Sequence, residues 1–318
     1  MNIPDPSSVL DRIVLGRSYR RAADALTAFA AIVLPSSCVI CGQWDTSLCP
    51  GCSAVFRRAT SRPFRAEAGA ESLPDVALDA AGTAGSGDRT DAYGPLPVVA
   101  AGRYGRAVSG VLLAYKNHGH VDLAAPVEAA LAGALHEAVT HLCRSPDGPG
   151  PARQVLLVPV PGRASSQRRR GYDPLMLLLS RLERRGGLPA GTRLVAGARQ
   201  VSPAARLSGA LMRGGVGGVL RDGLAALSGP GGGQKGLGRR RRRANVLRSM
   251  RAGRHARALL ADRDCIIVDD VLTTGATIGE LHRVLRGGGA RVLGGVVIAA
   301  TSSPAGARPG TVPGPGTG

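Results

Sequence analysis

Cys265-Ile266-Ile267-Val268-Asp269-Asp270-Val271-Leu272-Thr273-Thr274-Gly275-Ala276-Thr277 is the stretch from which the rest of this sequence can be read. Residues 265–268 form an apolar run of strand length. It delivers two adjacent carboxylates, Asp269 and Asp270, to its C-terminal edge, where open parallel sheets bind ligands. A Thr/Gly loop follows, and then a predicted helix over 277–286, with Ile278, Leu281, Val284 and Leu285 inward and Gly287–Gly289 as its stop. The first turn of a helix offers unpaired N–H groups and the positive end of its dipole. Thr273, Thr274 and Thr277 add hydroxyl donors, and Gly275 lets the backbone approach a ligand closely. A phosphate monoester fits the segment Thr273, Thr274, Gly275, Ala276 and Thr277. The acid pair then stands one sugar's length away, where carboxylates accept hydrogen bonds from vicinal hydroxyls. An ordinary capped helix would explain Asp270 or Thr277 as a cap. It would not explain two carboxylates and three threonines between Asp269 and Thr277.

Outward from this stretch, short apolar runs alternate with helical patterns. Strands are predicted near 97–101, at 155–158 and at 292–300. One helix face carries Val108, Val111, Leu112 and Tyr115. A second carries Leu123, Val127, Leu131, Leu135 and Leu142, and a third Leu175, Leu178, Leu179 and Leu182. Alternation of this kind predicts an α/β fold, a parallel sheet flanked by helices, over 95–301. Residues 197–238 are Gly-rich and lead to the run Arg239–Arg243, which reads as an insertion. Residues 61–94 show no apolar period and read as a linker, and residues 302–318 as a disordered tail.

Near the N-terminus, Cys38-x2-Cys41 is followed by Cys49-x2-Cys52. Two such pairs bring four thiolates to one tetrahedral Zn²⁺, with Gly42 and Gly51 freeing the turns. Four Cys ligands leave no open position, so the metal is expected to be structural. The module spans 35–60, preceded by an N-terminal segment and helix over 1–34. Cys143 and Cys265 read as ordinary core thiols.

The net charge is +19, and residues 151–260 hold 23 of the 41 Lys and Arg but only 3 of the 22 Asp and Glu. That region owns the entire excess. Such a field attracts polyanions; a compositional drift toward Arg and Gly in loops would look the same. No apolar run is long enough to span a membrane. The apolar residues 22–34 end at Pro35, where a lipoprotein processing site would need Leu, and Asp24 interrupts them. They read as a helix, and a cytoplasmic location is the expectation.

The segment 265–277 resembles the 13-residue phosphoribosyl-pyrophosphate motif of type I phosphoribosyltransferases. Further pieces resemble one branch, the ComF family of competence-related proteins. These are the four cysteines as a zinc ribbon, Tyr115-Lys116-Asn117-His118-Gly119, Val158-Pro159-Val160-Pro161, Arg168-Arg169-Arg170-Gly171-Tyr172 and Gln234-x2-Leu237-x4-Arg242-x2-Asn245. The order is right, and the resemblance spans roughly residues 30 to 301. The chain departs from the branch at Asp173-Pro174, where Asn-Gln is usual, and in the length of its Gly-rich insertion.

The resemblance implies a pentosyltransferase that uses 5-phosphoribosyl 1-diphosphate with Mg²⁺. In it Thr273–Thr277 anchor the 5′-phosphate, and Asp269 and Asp270 hold the ribose hydroxyls as the catalytic pair. Pro161, Gly162 and Arg163 face the diphosphate, with Lys116 and Arg170 as further candidates for that role. The family's association with DNA uptake implies an alternative, a non-catalytic protein that binds 5-phosphoribosyl 1-diphosphate or single-stranded DNA without turnover, with a competence or helicase-like partner. The acceptor-binding loops carry no readable signature.

Overall fold

Strands buried on both faces read as unbroken apolar runs, and such runs form the middle of the sheet. The computed structural model describes residues 37–78, 92–117, 120–143, 154–162, 171–201, 249–253 and 256–301. The chain divides into two units, Met1–Ala54 and Val55–Gly318. Helix α1 spans Pro50–Thr60. The second unit continues with β1 (Phe64–Arg65), β2 (Asp75–Leu78), β3 (Ala92–Pro95), β4 (Val98–Arg103), α2 (Arg106–Asn117), a 3-10 turn and α3 (Ala124–Leu142). Then come β5 (Val155–Pro159), α4 (Pro174–Arg184), β6 (Thr192–Leu194), β7 (Ala198–Gln200), β8 (Met250–Ala252), α5 (Ala256–Leu260), β9 (Asp264–Leu272), α6 (Ala276–Arg286) and β10 (Arg291–Ala300).

The main sheet has the order β1-β4-β10-β9-β5-β6, parallel throughout except for β1 at the edge. This is the α/β parallel sheet that the alternation predicts. Adjacent glycines in β10 show how it is covered. A Cβ on Gly294 would lie 2.6 Å from Leu142 of α3, and one on Gly295 would lie 3.4 Å from Ile278 of α6. Neighbouring residues of a strand face opposite sides, so α3 covers one face and α6 the other. Beneath α6, Ile278, Leu281 and Leu285 pack with Val158, Cys265, Ile267 and Val297. On the α3 side, the buried carboxylate of Glu128 takes Arg181 of α4 and Arg185 just after it, each at 3.0 Å, which ties the two helices together.

The predicted helix faces are buried as read at Val108, Val111, Leu112 and Tyr115, at Leu123, Val127, Leu131 and Leu135, and at Leu175, Leu178, Leu179 and Leu182, while Leu142 is half-buried. Three expectations change. The strand at 265 runs on to Leu272, so the acid pair lies inside the strand rather than after it. Within the residues that read as a linker, Phe64 and Arg65 pair with β4, and Ala66, Ala70 and Leu73 enter the core. Isolated small residues buried through long-range pairing have no period to reveal them. Residues 198–200, the start of the predicted insertion, pair with Met250–Ala252 as a two-stranded ribbon. The helix predicted within 1–34 and the arginine run at 239–243 lie outside the described residues.

The order of connections positions the site. From β5 the chain leads to its neighbour β6 on one side, and from β9 to β10 on the other. The two connections diverge at the C-terminal ends of β5 and β9, the usual ligand position in open α/β sheets. Val160 N–H donates to Val268 O at 2.8 Å, which holds the loop after β5 against the end of β9.

Candidate functional site

Asp269 and Asp270 end the apolar part of β9 and, as neighbours in a strand, point to opposite faces. Asp269 is buried, and its Oδ1 accepts the Asp270 N–H at 2.8 Å. Burial raises its carboxyl pKa well above the ordinary carboxylate range, and the charge of Asp270 adds to that. The hydrogen bond from Asp270 N–H and the Lys116 ammonium oppose the rise without cancelling it. Asp270 is partly exposed and forms an ion pair with Lys116, from the last turn of α2. Residues 154 positions apart in sequence are thus brought together by the fold.

The loop after β9 turns into α6 at Gly275, which holds φ +82° and caps the helix without any side-chain hydrogen bond. Ala276 N–H meets only Thr274 Oγ1, at 3.5 Å. The first-turn N–H groups of α6 therefore lack a strong internal acceptor among the described residues, as an anion site requires. Thr273 is exposed; Thr274, Ala276 and Thr277 are half-buried. A strap built from 70–74 braces the far side of the loop. Ser72 N–H donates to Thr274 O at 2.8 Å, and a Cβ on Gly275 would lie 2.7 Å from Leu73 Cγ. Only glycine satisfies both the left-handed backbone and that contact. The strap was invisible in the sequence, because one buried Leu among Ala, Gly and Ser carries no period.

Of the diphosphate candidates, Pro161 O accepts from Gln200 Nε2 at 3.1 Å, and Gly162 N–H donates to Asp173 Oδ2 at 3.0 Å. Arg163 and Arg170 lie outside the described residues. Asp173 is the residue that sequence reading undervalued. Its Oδ1 caps α4 by accepting from Leu175 N–H and Met176 N–H, with Pro174 at the first helical position. An Asp-Pro ahead of a leucine-lined helix is a start signal that could have found it. The departure at Asp173-Pro174 thus has a structural role: it starts α4 and holds the loop after β5. Tyr115 Oη donates to Pro174 O at 2.9 Å, so α2 joins the same assembly. Burial pushes the Tyr115 phenol up, and it stays protonated.

In the first unit, the sulfurs of Cys38, Cys41, Cys49 and Cys52 all lie within 4.8 Å of one another. Cys41 Sγ and Cys49 Sγ are 3.8 Å apart, close to the edge of about 3.8 Å that a tetrahedron with Zn–S of about 2.3 Å has. The donor set fits zinc. Gly42 takes φ +78° at the first turn, with its N–H on Cys38 O. Gly51 instead sits in α1, where its backbone is helical. Burial raises the Cys38 thiol pKa, but N–H groups of Cys41, Cys49 and Ile40 outweigh this and leave it at about 6. Burial and the neighbouring sulfurs push Cys52 up to about 12. Four thiolates resist crowding without a cation, and a bound dication removes that resistance.

No helix among the described residues is long and apolar enough to cross a membrane. No curated protein matches the chain. Residues 231–309 match the family model of the phosphoribosyl transferase domain. That match contains β8, β9, the acid pair, the Thr/Gly loop, α6 and β10. Sheet, motif and match together support a type I phosphoribosyltransferase-like protein with a cysteine cluster fit for zinc near its N-terminus.

Proposed function

We propose that the chain binds 5-phosphoribosyl 1-diphosphate with Mg²⁺ at the ends of β5 and β9 and transfers the phosphoribosyl group to an acceptor. The reading is carried by an acid pair, Asp269 buried and Asp270 partly exposed, placed one short loop before a helix whose N-cap is a glycine. A carboxylate is buried at a cost unless a ligand or partner uses it. In this reading Thr273–Thr277 take the 5′-phosphate, Asp269 and Asp270 accept from the ribose hydroxyls, and the loop at Pro161 and Gly162 meets the diphosphate. Bond breaking at the anomeric carbon leaves positive charge on the sugar and an electron pair on the departing diphosphate. The acceptor then bonds to that carbon and gives up its proton. The acid pair favours the cationic sugar, and positioning supplies much of the remainder. Mg²⁺ supplies charge neutralisation on the diphosphate, with few protein ligands.

Calorimetry with 5-phosphoribosyl 1-diphosphate and Mg²⁺ tests the reading. Thr274→Ala removes one donor to a charged group, worth about 1.5–3 kcal/mol, and Asp270→Asn weakens binding as well. Absence of wild-type binding at millimolar ligand would overturn it. Release of diphosphate with a series of bases then identifies the acceptor.

A second reading, contact with single-stranded nucleic acid, is favoured by one observation. On the β7–β8 ribbon, Arg199 stands directly opposite Arg251, both exposed. Like charges directly opposite are destabilising. The ribbon leads into residues 202–248, which hold ten basic residues and one acidic. Phosphate contacts read no sequence, so binding should be indifferent to base order and fall with salt, with a log–log slope of about −0.7 per neutralised phosphate. Changing Arg239–Arg243 to Ser is expected to flatten the slope and leave the small ligand's affinity nearly intact. An unchanged slope in gel-shift titrations would reduce these arginines to solvated loop residues.

A further inference from the structure

We propose that Lys116 is an exchangeable counter-ion: it neutralises Asp270 in the ligand-free protein and passes to the diphosphate when the ligand binds. The proposal rests on the reading of the site as one for 5-phosphoribosyl 1-diphosphate, and adds the rule by which the site selects diphosphorylated over monophosphorylated sugar.

Lys116 pairs with Oδ2 of Asp270. A carboxylate that receives both hydroxyls of a vicinal diol presents both oxygens, and the ammonium occupies one of them. A diol hydroxyl bonded to Oδ2 therefore competes with the ammonium for that oxygen. The displacement is accessible: the Lys116 side chain is 43% exposed, in the last turn of α2. A lysine ammonium on four rotatable carbons re-aims without moving the helix.

Its second position is defined by the hydrogen bonds around the end of α2. Tyr115, the preceding residue, donates to Pro174 O, and Asp173, one residue before Pro174, accepts the Gly162 N–H. The end of α2 is thus tied to the loop after β5. Val160 N–H on Val268 O holds that loop against the end of β9. Lys116 projects from a helix end tethered to the diphosphate loop on one side and paired with the acid pair on the other.

Ligand charge then decides the balance. A sugar carrying only a 5′-phosphate takes the hydroxyl positions on Asp270 but offers the displaced ammonium no anion at the β5 loop. The 1-diphosphate offers one. Lys116 thereby opposes binding of ribose 5-phosphate and favours 5-phosphoribosyl 1-diphosphate, a discrimination built from one residue with two partners.

Lys116→Met keeps the length of the stem and removes the charge. Affinities of wild type and variant are measured by calorimetry with two probes, ribose 5-phosphate and 5-phosphoribosyl 1-diphosphate, each with Mg²⁺. The expected result is a fall of about tenfold or more in the preference for the diphosphate, with ribose 5-phosphate bound as tightly as before or tighter. Equal weakening of both ligands, with the preference unchanged, would overturn the exchange and leave Lys116 a general electrostatic contributor. A wild type that binds neither probe defeats the reading of the site itself, a separate result. Lys116→Gln carries the same measurement if the methionine variant precipitates.

Discussion

Cys38→Ser or Cys49→Ser is expected to abolish zinc binding and the fold of the first unit, whereas the freshly prepared wild type carries one equivalent of zinc. The described core of that unit is small: Cys38, Cys49 and Cys52 are buried, and only Ile40 and Leu48 pack against them. Apparent binding free energies of structural zinc are about 10–16 kcal/mol, far above what two aliphatic side chains contribute at about 1.5–3 kcal/mol each. Removing one of four thiolates therefore removes most of what holds the unit together. Loss of soluble protein is the gross outcome, and metal analysis of the wild type is the decisive one. A thiol reagent adds detail. After chelation the first unit loses its fold, and with it the burial and neighbouring sulfurs that hold Cys52 at about 12, so its four cysteines should react quickly. Burial in the second unit keeps Cys143 at about 11 and Cys265 at about 12, and both slow. Reduced wild type without zinc would remove the prediction.

Asp269→Asn is expected to raise thermal stability at neutral pH while weakening 5-phosphoribosyl 1-diphosphate by about tenfold to a hundredfold, the loss of a hydrogen bond to a charged acceptor. The carboxyl pKa is raised in the folded protein, first by burial and then by Asp270. The folded state therefore binds the proton more tightly than the unfolded chain does. Stability is greatest below the unfolded value, about 3.9, and falls as pH rises from there toward the folded pKa. Asparagine is uncharged throughout and keeps the oxygen that accepts the Asp270 N–H. The variant's advantage in melting temperature should thus be present at pH 7 and shrink as pH is lowered toward 4. A stability gain together with an affinity loss marks a carboxylate kept for its ligand. A variant that is less stable at neutral pH would make Asp269 a structural acid instead.

Much of the candidate site is local in the sequence, and its arrangement was legible there for that reason. Asp269 to Thr277 are contiguous, and strand, carboxylates, loop glycine and helix follow one another in a fixed chemical order. The two Cys pairs are local in the same sense. Helix faces such as Val108, Val111, Leu112 and Tyr115 were readable because burial on a helix imposes a period.

What the sequence by itself determined was the identity of the elements: a parallel α/β sheet, the strand that carries the acid pair, and four cysteines spaced for one metal. Only the tertiary structure decided who meets whom. It placed Lys116 on Asp270, Asp173 on Gly162, and the Ser72–Leu73 strap against Gly275. Each of these contacts joins residues from separate elements, and each depends on strand order and on which face of the sheet an element covers. Periodicity reports how an element divides between core and solvent. It carries no information on the partner across the interface, because burial is non-directional while a hydrogen bond or ion pair requires one particular neighbour.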